Sequence, residues 1–124
     1  MPSVDDHKLK AAENEAFVRD LNRHAAIHCD WMVTGLFYSA LHHVSALLHN
    51  KGCRDADLRR HAQRQELLRS KLPAETQLYH DYRHLKDDSE DARYECRAFT
   101  TAEVQSLQRT EFARLKAKVL ALLP

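Results

Sequence analysis

The stretch DWMVTGLFYSALHHVSALLHNKG, residues 30–52, is the most apolar part of the chain and decides its fold. On a helical wheel it has two stripes. The first is apolar and consists of Val33, Phe37, Ala40, Val44 and Leu47. The second is rich in hydrogen-bonding groups and consists of Trp31, Thr34, Tyr38, His42, Ser45 and His49. The pattern predicts a central, buried helix, with Asp30 as its N-cap and Gly52 just beyond its end.

Polar side chains argue against a membrane span in the same stretch. A spanning helix needs roughly twenty apolar residues with few polar interruptions. Threonine, serine and histidine interrupt this one repeatedly, so we expect no membrane segment. The two adjacent histidines, His42 and His43, are expected to be core or interface residues that are satisfied by hydrogen bonds.

Composition indicates an all-α protein of about one domain. The chain has 124 residues, of which only two are glycine and three are proline. An all-β fold needs such turn-forming residues every ten residues or so. Helix is therefore the expected structure throughout, in a single domain spanning residues 1–124.

Local signals place four further helices around the central one. We predict a first helix, capped near Ser3 and Asp6, that runs to about His28 and turns a stripe inward: Leu9, Ala12, Ala16, Phe17, Leu21, Ala25 and His28. A third helix has Asp57 as its cap and is closed by Pro73, and a fourth begins near Ala74. Thr100 and Glu103 form a capping box for the last. Short joints then give a mostly antiparallel bundle of four to five helices.

Charge and cysteine content point to the cytoplasm. The net charge is +1, so any binding of nucleic acid must come from a local patch. Cys29, Cys53 and Cys96 are odd in number and widely spaced, which suggests neither a disulfide framework nor a cysteine-rich zinc site. The first residues are charged and lack the apolar core of a signal peptide. We therefore expect an intracellular protein.

Nine histidines raise the question of a metal site. His24 and His28 are four residues apart, as are His80 and His84, and this spacing places two imidazoles on one helix face. A metal-dependent hydrolase using these residues is the third hypothesis for function. No HExxH occurs and no third ligand stands out, so hydrogen-bonded or solvated histidines are preferred and no cofactor is expected.

The stretch from Arg54 to Lys71 is a candidate phosphate-binding patch. It contains six basic and three acidic residues, a local charge of +3, around His61. Arginine can hold a phosphodiester through two hydrogen bonds, and histidine can move a proton near neutral pH. Metal-independent RNA cleavage needs these two capabilities, with the ribose 2′-hydroxyl as nucleophile. The alternative interpretation is a solvated basic helix face.

Three segments together resemble the small prokaryotic HEPN-domain proteins. The segment DWMVTGLFYSALH matches the pattern DWxxTxxFYxAxH, His61 and Arg64 match HxxR, and LKDDSEDARY, residues 85–94, matches LxxxSxxARY. The resemblance covers about Asn22 to Arg97. It implies a helical bundle, usually a homodimer, with a role in defence, toxin–antitoxin systems or RNA processing, and with an operon-encoded partner as a further expectation.

The resemblance also implies an active centre. Catalytic HEPN proteins are metal-independent ribonucleases with an arginine, a polar residue and a histidine, which Arg54, Asp55 and His61 match. We accordingly assign Arg54 and His61 as catalytic. The residues expected to contact RNA or a nucleotide are Arg59, Arg60, Arg64 and Arg93. The alternative is a noncatalytic dimerisation or partner-binding domain, in which the aromatic residues of the central helix form the interface.

Overall fold

The computed structural model describes residues 2–21 and 25–124, and within them it is all-helical, with no strand. The α-helices are α1 (Val4–Leu21), α2 (Ala25–Asn50), α3 (His61–Lys71), α4 (Thr76–Tyr94), α5 (Thr101–Leu107) and α6 (Ala113–Leu122). A 3₁₀ turn (Asp55–Leu58) precedes α3. A π-helical turn (Gln108–Phe112) joins α5 to α6 without a break, so the two form one rod. The all-α prediction is confirmed.

The second helix is the centre of the fold, as its apolar composition predicts. Every residue of its apolar stripe is buried, and α2 packs against all the other α-helices. It ends at a glycine in the expected place, because Gly52 has a φ of +93°, which side-chain-bearing residues rarely adopt. A single hydrophobic cluster contains residues from all six helices.

The predicted inward stripe of α1 is wrong in part, although Leu21 does pack against the core. Leu9 and Phe17 are exposed, whereas Ala11 and Val18 are fully buried. The reason is a close approach at Gly35 of α2, where a methyl group on the glycine would lie 2.6 Å from Val18 Cγ2. Ser39 also donates a hydrogen bond of 2.7 Å to the carbonyl oxygen of Ala11. Two helices this close bury small residues between them and leave larger ones at the sides.

Helix boundaries around α2 and α3 differ from the predicted ones. The first helix ends at Leu21 rather than near His28, and α2 already begins at Ala25. Asp30 therefore lies inside α2, two residues after His28, whose φ of −115° and ψ of 20° interrupt the helix. Asp57 accepts a hydrogen bond from the Arg54 amide and so belongs to the 3₁₀ turn, not to α3.

The predicted capping box of the last helical rod is confirmed. The Glu103 amide donates to Thr100 Oγ1, and the Thr100 amide donates to Glu103 Oε1, each at 3.1 Å. Within the described ranges, no helix has the length and hydropathy needed to cross a membrane.

His43 departs from the expected satisfied histidine. It is 5% exposed, and neither ring nitrogen has a hydrogen-bond partner among the described residues. The ring lies against Phe112, with 6.2 Å between centroids. Burial, together with the nearby Lys116 and against the opposing effect of Glu15, lowers the pKa of His43 from 6.5 to about 4. Protonation of this buried imidazole in acid would therefore destabilise the core.

We predict that acid destabilises the fold partly through this residue. Between pH 6.5 and about 4 the unfolded chain binds a proton at His43 that the folded chain does not, so stability falls as the pH falls. One pKa unit corresponds to about 1.4 kcal/mol, so the loss over this window is about 3 kcal/mol. Urea unfolding at several pH values should show a shallower pH dependence in His43→Leu. An unchanged dependence would contradict the assignment.

Candidate functional site

The hydrogen-bonding stripe of α2 organises the candidate site. Along one face of this helix, Tyr38 accepts a hydrogen bond from Arg93, Ser45 accepts one from Arg64, and His42 contacts His7. The side chains of this stripe therefore meet polar groups from α1, α3 and α4. Three residues of the stripe predicted from the sequence thus make polar contacts with other helices.

Arg64 is the most buried arginine of this series, with 6% of its surface exposed. Its Nε donates to Ser45 Oγ at 3.2 Å, its Nη2 donates to the Leu58 carbonyl, and its Nη1 lies 3.3 Å from His61 Nδ1. All three partners are electrically neutral when His61 is unprotonated. A buried cation without a carboxylate at these contacts raises the local potential.

The pKa of His61 is affected by that potential. It stands at the N-terminus of α3, and its ring packs on Phe37 with 5.6 Å between centroids. Burial, followed by the positive charges of Arg64, Arg93 and Lys86, lowers the pKa of His61, while Glu90 acts in the opposite direction. We call Tyr38, His61, Arg64, Lys86 and Arg93 the His61 cluster. It combines an imidazole of lowered pKa with three cations, of which Lys86 is also paired with Glu90 at 3.8 Å.

Arg93 forms the outer side of the cluster. Its Nη1 donates to the Tyr38 hydroxyl at 3.1 Å, and its Nε donates to the Ser89 carbonyl at 3.2 Å. The guanidinium also lies over the Tyr94 ring, 5.0 Å from the centroid. Arg93 thus links α4 to the polar stripe of α2. It is 55 residues from Tyr38, the residue of that stripe to which it donates.

The other predicted arginines lie apart from the imidazole. The contacts of Arg54 are with Asp57, at 3.7 Å between Nε and Oδ2, and its side chain is 81% exposed. Arg59 and Arg60 are exposed in the turn before α3. The structure therefore brings Arg64 into contact with His61 and places Arg93 near enough to affect the pKa of His61, whereas Arg54, Arg59 and Arg60 are exposed.

Sequence reasoning missed His7 as a neighbour of this region. The Nδ1 atoms of His7 and His42 are 3.1 Å apart, and burial is the main cause that lowers both pKa values, that of His42 to about 4. The pair lines a cleft of about 270 Å³ together with Arg59 and Arg64. Because 35 residues separate the two histidines, no local spacing could have indicated the pair.

The histidines considered as metal ligands are arranged differently. His24 lies outside the described residues. His84 is paired with Asp88 at 3.2 Å and with Glu111 at 3.7 Å, and His80 contacts the Tyr79 ring edge-on. Across residues 2–21 and 25–124, no three histidine, cysteine, aspartate or glutamate side chains are grouped so that they could hold a metal ion.

Comparison of the chain with models of protein families, with curated proteins and with solved structures gives no match.

We predict that Arg64 stabilises the fold as well as the site. In Arg64→Ala the Leu58 carbonyl and Ser45 hydroxyl lose a buried donor and a cavity remains, which should cost about 2–4 kcal/mol. Arg69 is a matched control, because it is an exposed arginine on the same helix, paired only with Glu66 three residues away. Urea denaturation should show a change within about 0.5 kcal/mol for Arg69→Ala. Equal effects of the two substitutions would refute this role.

Proposed function

We propose that the protein is an RNA-directed module of HEPN type that cleaves RNA without a metal ion, with His61 as its proton-transfer residue. The observation that carries this proposal is the half-buried His61 ring, 3.3 Å from Arg64 Nη1, whose pKa is lowered by burial and by the charges of Arg64, Arg93 and Lys86. A base must be unprotonated to act, and an anionic substrate requires positive charge beside it. The His61 cluster meets both requirements.

The proposed chemistry is transfer within the RNA backbone. His61 takes the proton of a ribose 2′-hydroxyl, whose oxygen attacks the adjacent phosphorus. The bond from phosphorus to the 5′-oxygen breaks, the leaving oxygen takes a proton from water, and His61 returns its own proton to the solvent. The products are a 2′,3′-cyclic phosphate and a 5′-hydroxyl, so no oxidant or cofactor is consumed.

The arginines have separate roles in this proposal. Arg93 and Lys86 hold the phosphate, while Arg64, whose donors are already used within the protein, keeps His61 in position and its charge low. Arg59 and Arg60 attract the RNA chain towards the His61 cluster. Arg54 remains a catalytic prediction from the family resemblance. A homodimer, an operon-encoded partner and a cytoplasmic location also remain expectations of that resemblance.

The test is cleavage of mixed RNA by the purified protein in EDTA. We expect cyclic phosphate ends, no cleavage of DNA, and a loss of about a hundredfold or more in His61→Gln, since a positioned acid or base contributes about 10²–10⁴ in rate. His80→Gln is the matched control, because His80 is an exposed histidine on α4. Circular dichroism should confirm that each variant is folded.

Two results would contradict the proposal. Activity that EDTA abolishes would indicate a metal-dependent reaction, and activity that survives in folded His61→Gln would remove His61 from the chemistry. Because the pKa of His61 is lowered, cleavage should persist at pH 6.5 and decline only in more acidic solution. A profile that declines well above pH 6.5 would require a different base.

A noncatalytic partner-binding domain is the second candidate function. It is favoured by the exposure of two aromatic side chains, Trp31 at 62% and Tyr94 at 70%. Large exposed aromatics are enriched at protein interfaces. Stable association without any RNA turnover would favour this candidate.

A further inference from the structure

Trp31 is a large aromatic side chain that lies mostly outside the core. It lies on α2, one turn before the buried Thr34, and 62% of its surface is exposed. The described part of the chain places it in a pocket of about 200 Å³ with Asp30, Thr34, Ala92 and Arg93. This volume is below the roughly 300–1,000 Å³ of pockets for drug-sized ligands, so it suits a single ring system.

The same pocket contains a cation whose hydrogen-bonding partners are neutral. The guanidinium of Arg93 donates to the Tyr38 hydroxyl, the Tyr94 hydroxyl and the Ser89 carbonyl. None of these three groups cancels its charge. Tyr94, which is 70% exposed, lies against the guanidinium on its outer side. An exposed indole and an arginine whose hydrogen-bond acceptors are neutral lie at one pocket, where they provide a stacking surface and a phosphate contact together.

We propose that this Trp31 pocket binds one unpaired base of a single-stranded RNA, with the base stacked on the indole of Trp31 and its neighbouring phosphate on Arg93. The proposal rests on the proposed function, because Arg93 also belongs to the His61 cluster. The pocket would select single-stranded over double-stranded RNA, since a paired base cannot present its face to the indole.

Asp30 gives the pocket a preference among bases. Asp30 lines the pocket with Trp31, and a carboxylate accepts a hydrogen bond from the exocyclic amine of cytosine. Uracil has a carbonyl oxygen at that position, which the carboxylate would repel. The pocket therefore favours cytosine over uracil, two pyrimidines of the same size.

The direct experiment uses the fluorescence of Trp31, the sole tryptophan of the chain. The full-length protein is titrated with oligo(dC) and oligo(dU) of about six nucleotides, which lack the 2′-hydroxyl and so cannot be cleaved. We expect oligo(dC) to quench the emission at lower concentration than oligo(dU). An abasic oligonucleotide with the same phosphates, and inorganic phosphate alone, should not quench.

Substitutions then assign the contacts. Trp31→Ala should weaken the binding of a labelled oligo(dC) about tenfold by fluorescence anisotropy, since stacking of one base contributes that much or more. Phe17→Leu is the matched control, because Phe17 is an exposed aromatic on α1. Asp30→Asn should remove the difference between oligo(dC) and oligo(dU). Equal quenching by both in the unmodified protein would overturn the role of Asp30.

Other outcomes would overturn the pocket itself. One is binding of oligo(dC) by Trp31→Ala with unchanged affinity. The other is a tryptophan emission that shifts with protein concentration but does not change when oligonucleotides are added. That result would indicate that Trp31 contacts a second copy of this chain. His61-dependent RNA cleavage without quenching would reject the base pocket and keep the proposed function. Quenching by oligo(dC) without any RNA cleavage would keep the pocket and reject the ribonuclease.

Discussion

The burial of the Arg64 guanidinium is the constraint on which the rest of this structure depends. Its donors reach Ser45 on α2, the Leu58 carbonyl at the end of the 3₁₀ turn, and His61 at the start of α3. One side chain therefore fixes how α3 enters the bundle. Burial and then the charge of Arg64, whose acceptors are neutral, lower the pKa of His61. Stability and the proposed chemistry thus depend on the same group.

The polar stripe of α2 explains how one helix can both form the core and contribute to the candidate site. Its apolar stripe lies in the core, while Tyr38, His42 and Ser45 contact groups from three other helices. From Trp31 to Ser45 the stripe runs about 21 Å, at 1.5 Å per residue. The Trp31 pocket lies at one end, the His61 cluster in the middle, and the cleft of His7 and His42 at the other.

Local sequence patterns were sufficient to predict the buried apolar stripe of α2 and the capping box of Thr100 and Glu103. The inward face of α1 was not predictable in this way, because it is set by the close approach to Gly35 on another helix. Arginine in a basic stretch is usually a surface residue, so the burial of Arg64 had no local signal. The contact between Tyr38 and Arg93 spans 55 residues, and only the family resemblance marked Arg93.

The most direct test of this account is the titration of the His61 imidazole by NMR, with His61→Gln used to assign its signal. The account predicts a midpoint below the ordinary value of 6.5, and a higher midpoint in Arg93→Gln, because one of the surrounding cations is then removed. A midpoint at or above 6.5 that does not respond to Arg93→Gln would contradict it, since the imidazole would then not lie among the cations on which the proposed function depends.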